Sequence, residues 1–174
     1  RPIQEIGDGT ASPAIHHGAA SILQGTIIGQ DAHAARPHLG VNAIEVSAAI
    51  VQGLQGIRLD SMTPYSAKMT KLHAGSETGN IIPGNASFSI DLRAQTNDMM
   101  TLLNERVHHV LKHVEDLYGV VIDVTVHSNL VAAIVDGDAC ELMERAIAGV
   151  LGEEYVQPPI VTPGGEDFHF YSAH

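Results

Sequence analysis

Between Gly18 and residue 128 the spacing of apolar residues alternates between period two and steps of three and four, and that order constrains the fold more than any single motif. Ala19 to Gly29 carries Ile22, Leu23, Ile27 and Ile28 and reads as a strand. From Asn42 to Ile57 the residues Ala43, Val46, Ile50, Leu54 and Ile57 trace one face of a helix. Tyr65 to His73 reads as a strand whose apolar face switches between Met69 and Leu72, the mark of a bulge. In Asn85 to Gln95, Ala86, Phe88, Ile90, Leu92 and Ala94 alternate with Ser87, Ser89, Asp91 and Arg93, so one face is buried. Met100, Leu103, Val107, Val110, Val114 and Leu117 form a second helical stripe, with Gly119 placed to end it. Val120, Ile122, Val124 and Val126 alternate in a last strand. Strand, helix, strand, strand, helix, strand predicts an α+β, ferredoxin-like split βαβ unit, with a four-stranded antiparallel sheet and both helices on one face.

The flanks break this pattern. Residues 1–17, rich in Pro, Gly and polar groups, read as an interdomain connection or the end of another domain, and 18–128 as one complete unit. After Asn129, Asp138 with Glu141 gives a capping-box signal for a helix through Val150, with Leu142, Met143, Ala146 and Val150 on one side. A short Ile160-Val161 strand and a glycine turn follow, so 129–174 is expected to be an incomplete piece of an α/β domain. A start at Arg1-Pro2 and an end at His174 fit a segment of a longer chain.

Nine Lys and Arg against twenty Asp and Glu leave a net charge of −11, which opposes binding to nucleic acid or to an anionic membrane. No apolar run reaches the roughly 20 residues of a membrane span. Small molecules or other proteins are the expected partners. The single cysteine, Cys140, excludes an internal disulfide and points to a reducing, cytoplasmic setting.

Eleven histidines raise the question of a metal. His109 and His113 are four apart on a predicted helix but lack an intervening Glu and lie off its apolar stripe, and His16 and His17 are neighbours whose side chains diverge. The loop around His33 differs, because the small residues Ala32, Ala34 and Ala35 let the backbone approach another surface and the imidazole can project, although the loop taken alone favours a structural role in which His33 or His38 bonds local backbone. Asn80 stands at a turn tip between two strands, where a role in its own backbone is the simplest account. Arg93 sits on the polar face of its strand, either paired with Asp91 or available as a planar receptor for a carboxylate.

Three segments, GQDAHAARPHLGVNAIE, GSETGNIIPGNASFSIDLRA and TPGGEDFHFY, closely resemble the aminoacylase and carboxypeptidase family of co-catalytic metallopeptidases. The similarity is greatest to its N-acyl-amino-acid amidohydrolase branch, which includes hippurate hydrolases, and within that branch to bacillus-type amidohydrolases. The resemblance implies that the 18–128 unit is a lid and dimerisation domain. It implies that His33 enters the active site of the dimer partner and stabilises the oxyanion that forms on the substrate carbonyl. It implies further that Asn80 and Arg93 hold the substrate's free carboxylate, while Gly164, Gly165 and Glu166 line the pocket without ligating metal. The family's two divalent ions, of the zinc or manganese class, and its general-base glutamate belong to segments before Arg1 and after His174. Two metals are thus expected in a full-length parent and none in this piece, which should be inactive alone.

A four-stranded split βαβ sheet also serves as a small-molecule-binding or regulatory module without catalysis, the competing expectation. RNA recognition is disfavoured, because the open face offers Ser87, Ser89, Asp91 and Arg93 rather than stacking aromatics.

Overall fold

The computed structural model describes residues 6–172, so residues 1–5 of the opening segment and the last two, ending at His174, lie outside the described residues. The chain forms β1 (Ile15–His17), β2 (Ala19–Ile28), β3 (Ala32–His33), α1 (Ala43–Gly56), β4 (Tyr65–Ala74), β5 (Ile81–Ile82), β6 (Asn85–Ala94), α2 (Asn97–Tyr118), β7 (Val121–Leu130), α3 (Gly137–Leu151) and β8 (Ile160–Thr162). Four of the strands make one antiparallel sheet in the order β4-β6-β2-β7.

Alternation in β6 puts Ala86, Phe88, Ile90, Leu92 and Ala94 on the face covered by α1 and α2. Against them pack Leu23 and Ile27 from β2, Val46, Ile50 and Leu54 from α1, and Leu103, Val107, Leu111 and Val114 from α2. Each fully buried Leu or Ile contributes about 1.5–3 kcal/mol by leaving water. Room for the largest of these side chains comes from an absent one. Gly25 lies opposite Phe88 in the ladder, and a Cβ there would stand 2.2 Å from the ring.

Local chemistry fixes where the helices begin and end. Asn42 caps α1, its Oδ1 accepting from the Ile44 amide at 3.0 Å while its Nδ2 donates to Glu45 at 3.2 Å. Thr96 caps α2 by accepting from the Met99 amide at 3.2 Å, and Gly119, at φ 65°, ends it in the left-handed conformation. The buried stripe of α2 departs from expectation in its last two turns: Leu111 is buried, Val110 only partly so, and Leu117 is 77% exposed. The stripe follows steps 107, 111, 114 and 118, so Tyr118 packs on the core where Leu117 was expected.

The expected bulge in β4 is present, with the register shifting between Met69 and Lys71. A second lies in β7, opposite Ile22 and Leu23, and on this edge strand Val126 is 61% exposed whereas Ile122 and Val124 are partly buried against the core. Ala132, beyond the end of β7, is buried in the same core, and its amide donates to Asn97 Oδ1 at 2.8 Å.

The flanking segments meet each other. Within the stretch expected to be a connection, Ile15–His17 instead form β1, which pairs in parallel with β8, Ile15 beside Ile160 and His17 beside Thr162. The cap of α3 is Asp136, whose carboxylate accepts from the Ala139 amide at 2.8 Å, rather than the Asp138 and Glu141 box. None of α3 is buried, and its apolar residues Leu142, Met143 and Val150 are exposed. No described helix is long and apolar enough to cross a membrane.

Candidate functional site

His33 and Asn80, separated by 47 positions, are brought together by the small β3–β5 ladder, in which His33 stands beside Ile81. The Ala34 amide donates to the Asn80 carbonyl at 2.9 Å, so the two loops share a backbone bond next to both side chains. Close packing of backbone holds this corner. A Cβ on Gly84 would stand 2.3 Å from the Gln30 carbonyl carbon, and one on Gly40 would stand 2.4 Å from the Gln30 oxygen. The Asp31 carboxylate accepts from the Gly84 amide across the same gap.

These contacts define the His33 tautomer. Its Nδ1 accepts from the Ala35 amide at 3.1 Å, so a neutral ring carries its hydrogen on Nε2 and offers it outward. Asn80 Nδ2 lies 3.4 Å from that nitrogen. Two donors cannot bond, so the Asn80 amide pairs with His33 only when turned to present Oδ1. Both side chains are exposed, and the imidazole N–H is available to a ligand oxygen.

Arg93 lies on the open face of β6, between Ala20 of β2 and Ser66 of β4. Two residues away on the same face, Asp91 receives it in a two-pronged pair, Nε to Oδ1 at 2.6 Å and Nη2 to Oδ2 at 2.8 Å. Hydrogen bonding to Asp91 raises the guanidinium pKa further, against the opposing effect of burial, and the charge of Asp91 adds to the rise. A ligand carboxylate approaching Arg93 competes with Asp91 for the guanidinium.

The Gly164–Glu166 turn follows β8 and lies against the same end of the sheet. Residue 165 is packed closely there, since a Cβ would stand 2.9 Å from Leu130 Cδ1 and 3.2 Å from the Cβ of Ala20, the neighbour of Arg93, and would need the Leu130 side chain to shift. The Gly164 amide donates to Thr162 Oγ1 at 3.3 Å, and Glu166 Oε1 accepts from the Asp167 amide at 3.0 Å.

Beside this turn stands a pair that the sequence reading missed. His17 Nδ1 and His169 Nε2 are 3.0 Å apart, with ring centroids 5.1 Å apart. The pKa of His17 is lowered, first by burial and then by the nearby His169, with Glu166 acting in the opposite sense. The available signal was weak: Ile160-Val161 read as a short strand needing a partner, whereas Ile15-His16-His17, which pairs with it, carries one apolar residue. The remaining helix histidines behave as surface groups: His108 and His113 bond the carbonyls of Asn104 and His109 one turn back.

The structure thus makes two groups of the six expected site residues. His33 and Asn80 lie past the C-terminal end of β2, whereas Arg93, Gly164, Gly165 and Glu166 lie around Ala20 at its start. From Ala20 to Ile28 the strand runs about 26 Å at roughly 3.3 Å per residue, too far for one small ligand to touch both groups of a single chain. Among the described residues, no three His, Cys, Asp or Glu side chains converge as a metal ion would require.

Comparison with known proteins gives the arrangement a family. Residues 16–118 match the M20-type peptidase dimerisation domain. The chain is 31% identical over 125 residues to an N-acetyldiaminopimelate deacetylase of Exiguobacterium sibiricum, covering 70% of this chain and 34% of that protein. It is also 31% identical over 115 residues to a succinyl-diaminopimelate desuccinylase of Leptothrix cholodnii, covering 63% of this chain and 29% of that one. The chain therefore spans about a third of the length of these relatives. A putative aminohydrolase from methicillin-resistant Staphylococcus aureus has the same fold, with a TM-score of 0.84 at 18% identity over 98% of this chain and 45% of that one. The sheet order, the two covering helices and the match over most of the unit agree: this chain belongs to the M20 peptidase dimerisation-domain family.

Proposed function

We propose that this chain is the lid and dimerisation part of a metal-dependent amidohydrolase that cleaves the amide bond of N-acyl amino acids or small peptides, in the hippurate hydrolase-like branch. The separation of the two groups of site residues carries the reading. A homodimer through the 18–128 unit allows His33 and Asn80 of one protomer to meet Arg93 and the Gly164–Glu166 turn of the other. The flanks 1–17 and 129–174 are then parts of the domain that carries the chemistry, a division supported by the β1–β8 pairing.

In such a site His33 Nε2–H donates to the substrate carbonyl oxygen and strengthens that bond as negative charge develops. Arg93 takes the free carboxylate of a small-molecule substrate, Asn80 supplies an amide beside it, and the glycines let the substrate approach the turn backbone. Two divalent ions of the zinc or manganese class supply the activated water in the parent; the described residues do not assemble a donor set for them. The work of this chain is positioning, in a cytoplasmic setting suggested by its single cysteine, Cys140.

Mixed dimers test the reading. Parent chains carrying His33→Ala and Arg93→Ala are each inactive, and equimolar reassortment restores about a quarter of wild-type turnover, since half the dimers contain one intact site. No recovery on mixing, with heterodimers shown to form, overturns it.

A further inference from the structure

The turn holding Gly164, Gly165 and Glu166 is clamped at both ends by consecutive residues of one strand exit. At its start, the Gly18 amide donates to the Thr162 carbonyl at 2.9 Å and His17 stands beside Thr162 in the ladder. Beyond its end, His169 returns to His17 with the two ring nitrogens 3.0 Å apart. Between these clamps, Gly165 rests on Ala20 and Leu130 and contributes no side-chain anchor of its own. Among the described residues the turn also holds short-range bonds, from the Gly164 amide to Thr162, the Asp167 amide to Glu166 and the His169 amide to the Glu166 carbonyl.

We propose that His17 and His169 are a positioning pair that seats the Gly164–Glu166 turn against the sheet, and that protonation of both rings releases it. The proposal rests on reading this turn as a wall of the substrate pocket. An imidazole–imidazole bond needs one nitrogen to donate and the other to accept, so at least one ring must be neutral. With both rings charged, two N–H groups and two positive charges face each other at the same distance. The charged or titratable groups acting on His17 from the packed elements are His169 and Glu166. His16 adjoins it on its own strand with its carbonyl taken by Gln95, and Asp91 and Arg93 on β6 are bonded to each other. The lowered pKa of His17 agrees with a ring held neutral by burial and by its partner.

Amide exchange and imidazole titration of this 174-residue chain by NMR test the pair without any turnover, so failure here is separate from failure of the amidohydrolase reading. At pH 7.5 the bonded amides of Gly164, Asp167 and His169 are protected, and at pH 5 their protection factors, corrected for intrinsic exchange, fall about tenfold. His169→Phe removes that protection at both pH values and returns the His17 titration upward. His169→Gln, which keeps a polar group near the Nε2 position, retains protection at both, as does His17→Asn for Nδ1. Unchanged amides of Leu23 and Ile90 establish that each variant is folded. Wild-type protection that is equal at the two pH values, or that survives His169→Phe, overturns the proposal.

Discussion

Gly84 approaches Gln30 so closely that a methyl group on residue 84 would overlap the Gln30 carbonyl carbon and the Asp31 amide nitrogen, at 2.3 and 2.6 Å. The relationship joins the loop that carries His33 to the loop that carries Asn80 through main-chain atoms, which cannot move aside as a flexible side chain can. It makes the paired position of His33 and Asn80 depend on a residue with no functional group.

Gly84→Ala is therefore expected to separate the loops, costing about 1–3 kcal/mol as an overpacked contact. Urea unfolding measures the loss, and chemical-shift changes at the His33 and Asn80 side chains report the displacement. In the parent enzyme kcat/KM falls even though residue 84 touches no substrate.

Gly25→Ala tests the core in the same way. The Phe88 ring must leave its place for a Cβ at position 25, so stability falls by about 1–3 kcal/mol while the β6 alternation is kept. A companion Phe88→Leu change in the Gly25→Ala background should recover part of the loss, and a double-mutant cycle in urea reads that coupling.

Stability should fall as the solution is acidified below neutrality, with His17 contributing. A histidine whose folded pKa lies below its unfolded value of 6.5 binds fewer protons folded than unfolded in the window between the two. Its contribution is fully present above 6.5 and is lost as pH falls through the lowered folded value. Unfolding curves at pH 7.5 and 5.0 for wild type and His17→Asn measure it, and the variant loses less stability on acidification.

Freeing Arg93 from Asp91 should expose a carboxylate receptor. The pair is partly solvated, with side-chain exposures of 35% and 23%, so Asp91→Asn costs about 1 kcal/mol or less in stability. Binding of N-acetylglycine, followed at the Arg93 Nε–H signal by NMR, tightens about threefold or more as the competing charge is removed.

Most of the sheet and both covering helices were legible because the buried faces of β6, α1 and α2 repeat with the period of their own secondary structure. Where two phases of the helical repeat were open, as at Val110 and Leu117 against Leu111 and Tyr118, sequence spacing could not choose, and packing against β4, β6 and β7 did. Asp136 and Asp138 are both competent caps, and the choice between them depends on the path of the preceding chain. The proximity of His33 to Asn80 follows from a two-residue ladder, and that of His17 to His169 from strands 143 residues apart; neither leaves a local pattern. The roles assigned to His33, Asn80, Arg93, Gly164, Gly165 and Glu166 came from resemblance. Geometry added the division into two groups and the His33 tautomer, and of the two expectations for Arg93 it shows the pairing with Asp91.

The neighbouring strands β2 and β7, which pair Ala20 with Leu130, have a consequence for how such a protein can be assembled. The chain enters the four-stranded unit on one of these strands and leaves it on the other, antiparallel and about 5 Å away. A host polypeptide therefore needs only to open one surface connection to receive the whole unit, without shifting its own framework. Entry and exit side by side make the unit a graftable cassette, one that recombination can add, remove or exchange as a block.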